Sequence, residues 1–308
     1  MYTVYRLDSG VKAVSSRRTS TKFSMSVLLL LTLGVLVSRY GMSSFLAAKQ
    51  PSNYFVPVAA PTVSLELAAH TTKLLKPLPQ PEIDVPSAVQ AAINAAAGQS
   101  WSVSVYDISG QRFLAQVNDT RQMGSASLYK LYAAYALTQK LPSSQWATVS
   151  IGGHTARDCV DLMLRVSDND CGMAVAEYVG WSKIDKYAHA ASYNQTQTNH
   201  IPGPMTTAND TARFMSDLYQ GKLFDADTTA FVLDSLARQS FRAGIPASCA
   251  GCTVYNKTGN TDAGLNHDAG VVVINGHAYA IVIMSDNGGS AKKIASITKS
   301  ITDVLKQP

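Results

Sequence analysis

A serine hydroxyl is a poor nucleophile until a neighbouring group takes its proton. A lysine desolvated by packing can fall far enough in pKa to take it. Ser127 and Lys130 stand three residues apart in the stretch Gly124-Ser125-Ala126-Ser127-Leu128-Tyr129-Lys130-Leu131-Tyr132. The small polar opening, followed by good helix formers with apolar spacing, predicts a helix N-terminus. Ser127 then lies in the first turn and Lys130 one turn later on the same face. Free backbone N–H groups at that end would also meet a developing oxyanion. The pattern is short, and Ser290 to Lys293 and Ser296 to Lys299 match it too. An exposed serine one turn from a surface lysine is its bland reading.

Two further triplets add weight. Ser167-Asp168-Asn169 falls in a turn between predicted helices and offers a second hydroxyl and a carboxamide. Lys257-Thr258-Gly259 ends a predicted strand and offers a cation, a hydroxyl and a residue without a side chain. At Gly259 an extended substrate would approach the strand edge closely. A second Ser-Asp-Asn, at 285 to 287, follows a strand and runs into Gly288-Gly289, so it reads as a hairpin or helix-entry turn.

The elements that must hold these residues follow from periodicity and punctuation. Val85 to Ala97 reads as a helix stopped by Gly98, and Trp101 to Tyr106 with Arg112 to Val117 as a hairpin across Ser109-Gly110. Ala156 to Val166 and Gly172 to Val179 are helical in pattern, whereas Ala190 to Met205 has no period and reads as a long loop. Helices return at Thr207 to Leu218 and Thr228 to Gln239. Strands follow at Thr253 to Thr258, Gly270 to Ile274 and Ala278 to Met284, then a closing helix at Ala291 to Lys306. Strands from both ends of the chain around a helical block imply an α/β (α+β) fold, with an antiparallel five-stranded sheet flanked by helices plus an all-helical lobe.

The 308 residues carry a net charge of +5, and 46% of them are apolar. Nine Lys/Arg against three acids (Asp8, Glu66, Glu82) fall in residues 1–83, which leaves the rest nearly neutral, 17 against 18. No basic face for nucleic acid is implied. The excess flanks an apolar run, Phe23 to Ser38, preceded by Arg6, Lys12, Arg17, Arg18 and Lys22. That order is the grammar of a signal peptide or signal anchor, and Arg39-Tyr40 behind it favours an uncleaved anchor. The expected organisation is a basic cytoplasmic N-terminus at 1–22, the anchor or signal at 23–40, a Pro-rich linker at 41–83 and one domain at 84–308. The catalytic part would then lie outside the cytoplasm, at the membrane or secreted, with the linker as a tether or as an arm packed on the domain. Cys159 with Cys171, and Cys249 with Cys252, are candidate loop closures among three possible connectivities. No second close pair or neighbouring histidine completes a zinc set, and no metal or other cofactor is expected.

The three triplets, in this order and spacing, resemble the penicillin-recognising serine enzymes, class A β-lactamases most closely, over about Val85 to Pro308. Arg242-Ala243-Gly244-Ile245-Pro246 and His267-Asp268-Ala269-Gly270-Val271 look like the same family. The resemblance implies a nucleophile at Ser127, a general base or proton relay at Lys130, and at Ser167 a proton donor to the leaving nitrogen. It gives Lys257 and Thr258 the substrate carboxylate, Asn169 the acyl-side amide, and the backbone N–H groups of Ser127 and Asn260 the oxyanion. Substrates would be β-lactams or peptidoglycan stem peptides, and the chain a monomer.

One departure bears on turnover. The family's water-activating glutamate belongs in the loop after the Ser-Asp-Asn helix, yet residues 187–209 contain no Asp or Glu, and Glu177 is the one glutamate beyond Glu82. Acylation is expected to outpace deacylation, with Asn194, Gln195, Asn199 and His200 left to position water. Three readings follow: a β-lactamase-type hydrolase with slow turnover, a membrane-tethered D,D-peptidase, and a non-hydrolysing binder of β-lactams or cell-wall fragments.

Overall fold

The computed structural model describes residues 84–96 and 100–307. Helix α1 (Val85–Ala95) leads into the hairpin β1 (Trp101–Asp107) and β2 (Arg112–Val117). A two-residue strand β3 (Met123–Gly124) and a short 3₁₀ turn at Ala126–Leu128 precede α2 (Tyr129–Lys140). The small pair β4 (Ser150–Ile151) and β5 (His154–Thr155) introduces α3 (Ala156–Arg165), α4 (Asn169–Val179) and α5 (Trp181–Ala190). Then come β6 (Met205–Thr206), α6 (Ala208–Tyr219) and α7 (Ala226–Ala237), followed by β7 (Thr253–Asn260), β8 (Asn266–Ile274), β9 (His277–Ser285) and α8 (Ala291–Leu305).

The five long strands form one antiparallel sheet in the order β2-β1-β9-β8-β7, which leaves β7 at an edge. Strand β9 shows why the sheet lies between layers. Ala278, Ala280, Val282 and Met284 belong to one core, while Tyr279, Ile281 and Ile283 belong to the other. Period two sends alternate residues to opposite faces, and here both faces are buried. α1 and α8 cover one face, through Val85 and Val89 and through Ile294, Ile297 and Ile301. On the other face the core runs without a break into the helical lobe through Phe214, Met215, Tyr132 and Leu137, so lobe and sheet share one core. Polar caps start the lobe's helices where the chain turns inward: Thr155, Asp168 and Thr207 each accept from the backbone N–H three residues on.

Several expectations are corrected. α5 was not foreseen: Ser182, Lys183, Asp185 and Lys186 crowd its sequence, and Ile184 and Ala188 are its buried residues. The stretch read as a long loop carries a bridge from Gln197 to Met205 and the strand β6, which pairs with β3. β8 starts four residues early, at Asn266, because polar His267 and Asp268 lie buried in the sheet. α1 ends at Ala95. The basic, apolar and Pro-rich segments of residues 1–83 lie outside the described residues. Among those described, no helix is long and apolar enough to cross a membrane.

Candidate active site

Ser127 sits one step before the helix that carries Lys130. It occupies the 3₁₀ turn ahead of α2, entered through Ala126 in the left-handed region at φ 45°. A non-glycine residue there costs about 1–3 kcal/mol, which the surroundings must offset. Ser125 N–H donates to Pro204 O at 2.7 Å, and buried His267 donates from Nε2 to Gly124 O at 2.8 Å while its Nδ1 accepts from Ser285 N–H at 3.2 Å. Burial lowers the His267 pKa, in keeping with a neutral ring that donates on one side and accepts on the other. From β7, Gly259 closes on the same turn: a Cβ there would meet Ser125 O at 3.0 Å, Leu128 Cγ at 3.2 Å and Ala126 Cβ at 3.3 Å. The bare backbone at Gly259 therefore serves the packing of the nucleophile turn, a role that the sequence did not suggest beside the expected approach of a substrate.

Lys130 is fully buried. Its Nζ lies 3.1 Å from Ser127 Oγ, 2.7 Å from Ser167 O and 2.8 Å from Asn169 Oδ1. Burial pulls its pKa down to about 8, against an opposing pull from Asp168. A neutral amine has two hydrogens and one lone pair. The two acceptors take the hydrogens, and the lone pair is left for the hydroxyl of Ser127.

Ser167 and Asn169 reach this point through a tight link. Ser167 is left-handed at φ 59°, and Asp168 caps α4 by accepting from Cys171 N–H at 2.8 Å. Asn169 is the first residue of α4, so only Ser167 and Asp168 of the triplet belong to the connection. Lys257, fully buried on β7, places Nζ 2.8 Å from Ser167 Oγ and 2.8 Å from Thr258 O. Burial and the neighbouring Lys130 push its pKa well down, while Asp268 opposes them. Two amines in one dry neighbourhood disfavour a proton on each other.

Ser127, Ser167, Asn169, Thr258 and Asn260 line one open cleft of about 440 Å³, with Asp262 its one lining carboxylate. All eight residues singled out from sequence therefore converge: Lys130 and Lys257 behind the cleft, Gly259 beneath the turn, the other five on its walls. Sequence reasoning gave no role to His267 or to Gly172, where a Cβ would fall 2.5 Å from Lys130 Cε. A polar residue inside a strand was the signal for His267, and a glycine in a helix interior was the signal for Gly172.

The other candidates go elsewhere. Ser290 caps α8 by accepting from Lys293 N–H, and Lys299 pairs with Asp303 on the surface. Asp286 of the second Ser-Asp-Asn pairs with Arg121. Glu177 is exposed on α4. In the glutamate-free loop, Gln195 accepts from Gln122 and Thr207 and donates its own N–H to Asp210. Exposed His200 contacts Gly203 O at 3.3 Å and borders a separate apolar crevice with Tyr129, Met173, Trp181 and Ile201. The cysteines pair as Cys159–Cys171 and Cys249–Cys252, which leaves no free thiol. No group of three or more His, Cys, Asp or Glu among the described residues has a metal-holding arrangement.

The sequence model of the beta-lactamase enzyme family matches residues 143–307, more than half of the chain. The match begins beyond Ser127 and Lys130 but spans the other two triplets. Among solved structures, a beta-lactamase from Sphaerobacter thermophilus is 18% identical with a TM-score of 0.63, over 71% of this chain and 95% of its own. A class A beta-lactamase from Bacteroides cellulosilyticus is 17% identical with a TM-score of 0.65, over 72% and 98%. A protein named PBP-A is 18% identical with a TM-score of 0.63, over 71% and 96%. At these identities the likeness is one of fold. No curated protein sequence matches the chain.

Proposed function

The chain belongs to the beta-lactamase enzyme family, and from that premise we propose that it is acylated on Ser127 by β-lactams or related cell-wall amides and deacylates slowly. One observation carries the reading: Lys130 Nζ contacts Ser127 Oγ and is held from behind by Ser167 O and Asn169 Oδ1. The Lys130 lone pair takes the Ser127 proton as Oγ bonds to the carbonyl carbon. The oxyanion is met by the backbone N–H groups of Ser127 and Asn260, and Asn169 holds the acyl-side amide. As the C–N bond breaks, Ser167 Oγ gives its proton to the leaving nitrogen, and the Lys257–Ser167 contact offers a route to replace it. A substrate carboxylate between Lys257 and Thr258 would restore the Lys257 ammonium. That charge in turn favours a neutral Lys130, so substrate binding primes the base.

Deacylation needs a base for water. Asp262, on the β7–β8 turn, is the one carboxylate lining the cleft, and His200 borders a different crevice. The lack of any acid between residues 187 and 209 supports slow release, and Asp262 is the one lining carboxylate that would act against it. The same lack also keeps open a D,D-peptidase acting on stem peptides, or a binder that holds its acyl group. Two disulfides and the cation-then-apolar order of residues 1–40 support export, with the N-terminal segment as anchor or cleaved signal and residues 41–83 as tether.

The test is a chromogenic cephalosporin assay with intact-mass analysis. A slow turnover with an adduct that disappears in Ser127→Ala is the expected result. A stable adduct with no turnover, together with D-alanine release from a stem peptide, would assign the peptidase; the same adduct without that release would assign the binder. Absence of any adduct under saturating β-lactam would overturn acylation.

A further inference from the structure

We propose that the Cys159–Cys171 disulfide is a positioning element of the acylation machinery: it fixes the first turn of α4 so that Asn169 and Gly172 close over the Lys130 amine. The inference rests on the acyl-enzyme reading above.

The argument is one of place. Cys159 lies in α3 and Cys171 in the first turn of α4, both buried, and the covalent loop they close contains the whole of Ser167-Asp168-Asn169. Asn169, two residues before the bridge, supplies the Oδ1 that takes a hydrogen from Lys130. Gly172, the residue after it, lies so close to Lys130 that a Cβ would fall 2.5 Å from Cε and 2.8 Å from the Tyr129 hydroxyl. The turn that the bridge pins is therefore the turn that shuts water away from Lys130. Ser167 holds a left-handed conformation that costs an L-residue about 1–3 kcal/mol, and the bridge adds a covalent tie to the hydrogen bonds that Lys130 and Lys257 give its O and Oγ.

Lys130 has few other charges to answer to. Asp168, from the α3–α4 link, and Lys257, from β7, bear on it electrostatically, and the Tyr129 phenol adjoins it on α2. From α4, Asp170 and Glu177 are exposed. From α3, Arg157 and Asp158 are exposed and Asp161 is held by Arg165 and Arg238; from α5, Lys183 and Lys186 are exposed and Asp185 is held by Thr198 and Asn199. Burial is the largest influence on the Lys130 amine, and burial is what a loosened α4 would undo.

The experiment compares the pH dependence of β-lactam acylation in Cys159→Ala/Cys171→Ala and in Cys249→Ala/Cys252→Ala. The second pair removes the bridge before β7 and serves as the control. Opening the first bridge should move the acid limb up by about one pH unit and slow acylation at pH 7 about tenfold, with the control unmoved. If the first variant does not fold, the folded Cys249→Ala/Cys252→Ala protein, in which Cys159–Cys171 is the bridge that remains, is reduced with dithiothreitol. Its two thiols become a cyclic disulfide as the Sγ–Sγ bond accepts two electrons and two protons, and the alkylated product is assayed the same way. Hydrogen exchange at the Cys171 and Gly172 amides should quicken in either form. That readout needs no acylation, so a wild type that takes no β-lactam sinks the function while the positioning is still decided. An unmoved acid limb, or unchanged exchange where nothing acylates, in a protein shown by mass to lack the bridge would overturn the inference.

Discussion

The cleft between β7 and the α3–α4 link and the segment from 187 to 209 are built to different ends. In the cleft, side chains from separate parts of the chain meet: the Lys130 amine reaches the Ser127 hydroxyl at 3.1 Å and the Asn169 carboxamide at 2.8 Å, and the Lys257 amine reaches the Ser167 hydroxyl at 2.8 Å. Around the segment, the flanking acids anchor backbone. Asp185 holds the N–H groups of Thr198 and Asn199, and Asp210 holds that of Gln195. Those acids flank the place where a water-activating carboxylate would be wanted, and both are occupied as anchors. The difference teaches that the groups for acylation and those for deacylation are separable, and the proposed function rests on the first set.

Ser127→Ala breaks the comparison most completely: intact mass should show no adduct at any exposure, and a persisting adduct would put the nucleophile elsewhere. Lys130→Met removes the base while keeping the bulk, and acylation measured by stopped flow should fall about a thousandfold. The pH dependence sharpens the same point. Because the free base is needed and burial lowers the Lys130 pKa to about 8, acylation should rise about tenfold per unit below that pH and level off above it. A profile flat from pH 5 to 8 would remove Lys130 from the proton's path. Gly259→Ala drives a methyl towards Ser125 O, which is backbone and cannot swing aside, so the nucleophile turn shifts; about a tenfold loss of acylation rate, with a lowered Tm, is expected. His200→Ala tests the other region and should change deacylation less than about twofold, since an exposed ring bordering a separate crevice has no purchase on the acyl group.

Much of the site was legible because its chemistry is written in short, ordered triplets. The decoys show what the letters leave out. Ser290 and Lys293 repeat the spacing of Ser127 and Lys130, but there the serine oxygen is used to cap α8. Strand β9 was readable from its apolar run, whereas the start of β8 was hidden because His267 and Asp268 are buried for what they bind rather than for their apolarity. α5 was missed although Trp181, Ile184 and Ala188 recur at helical spacing, because no polar cap or proline marks its start after Gly180.

The sequence by itself determined which groups exist and their order: a hydroxyl and an amine three residues apart, a second hydroxyl with a carboxamide, a lysine ahead of a glycine, and no acid between 187 and 209. Those facts are local and covalent, and folding does not alter them. Tertiary structure alone decided that Lys130 is dry, that Gly172 and Asn169 close over it, and that Gly259 presses the turn into place. The reason is that a pKa and a contact belong to surroundings, and these surroundings are assembled from residues up to about 130 positions apart in the chain.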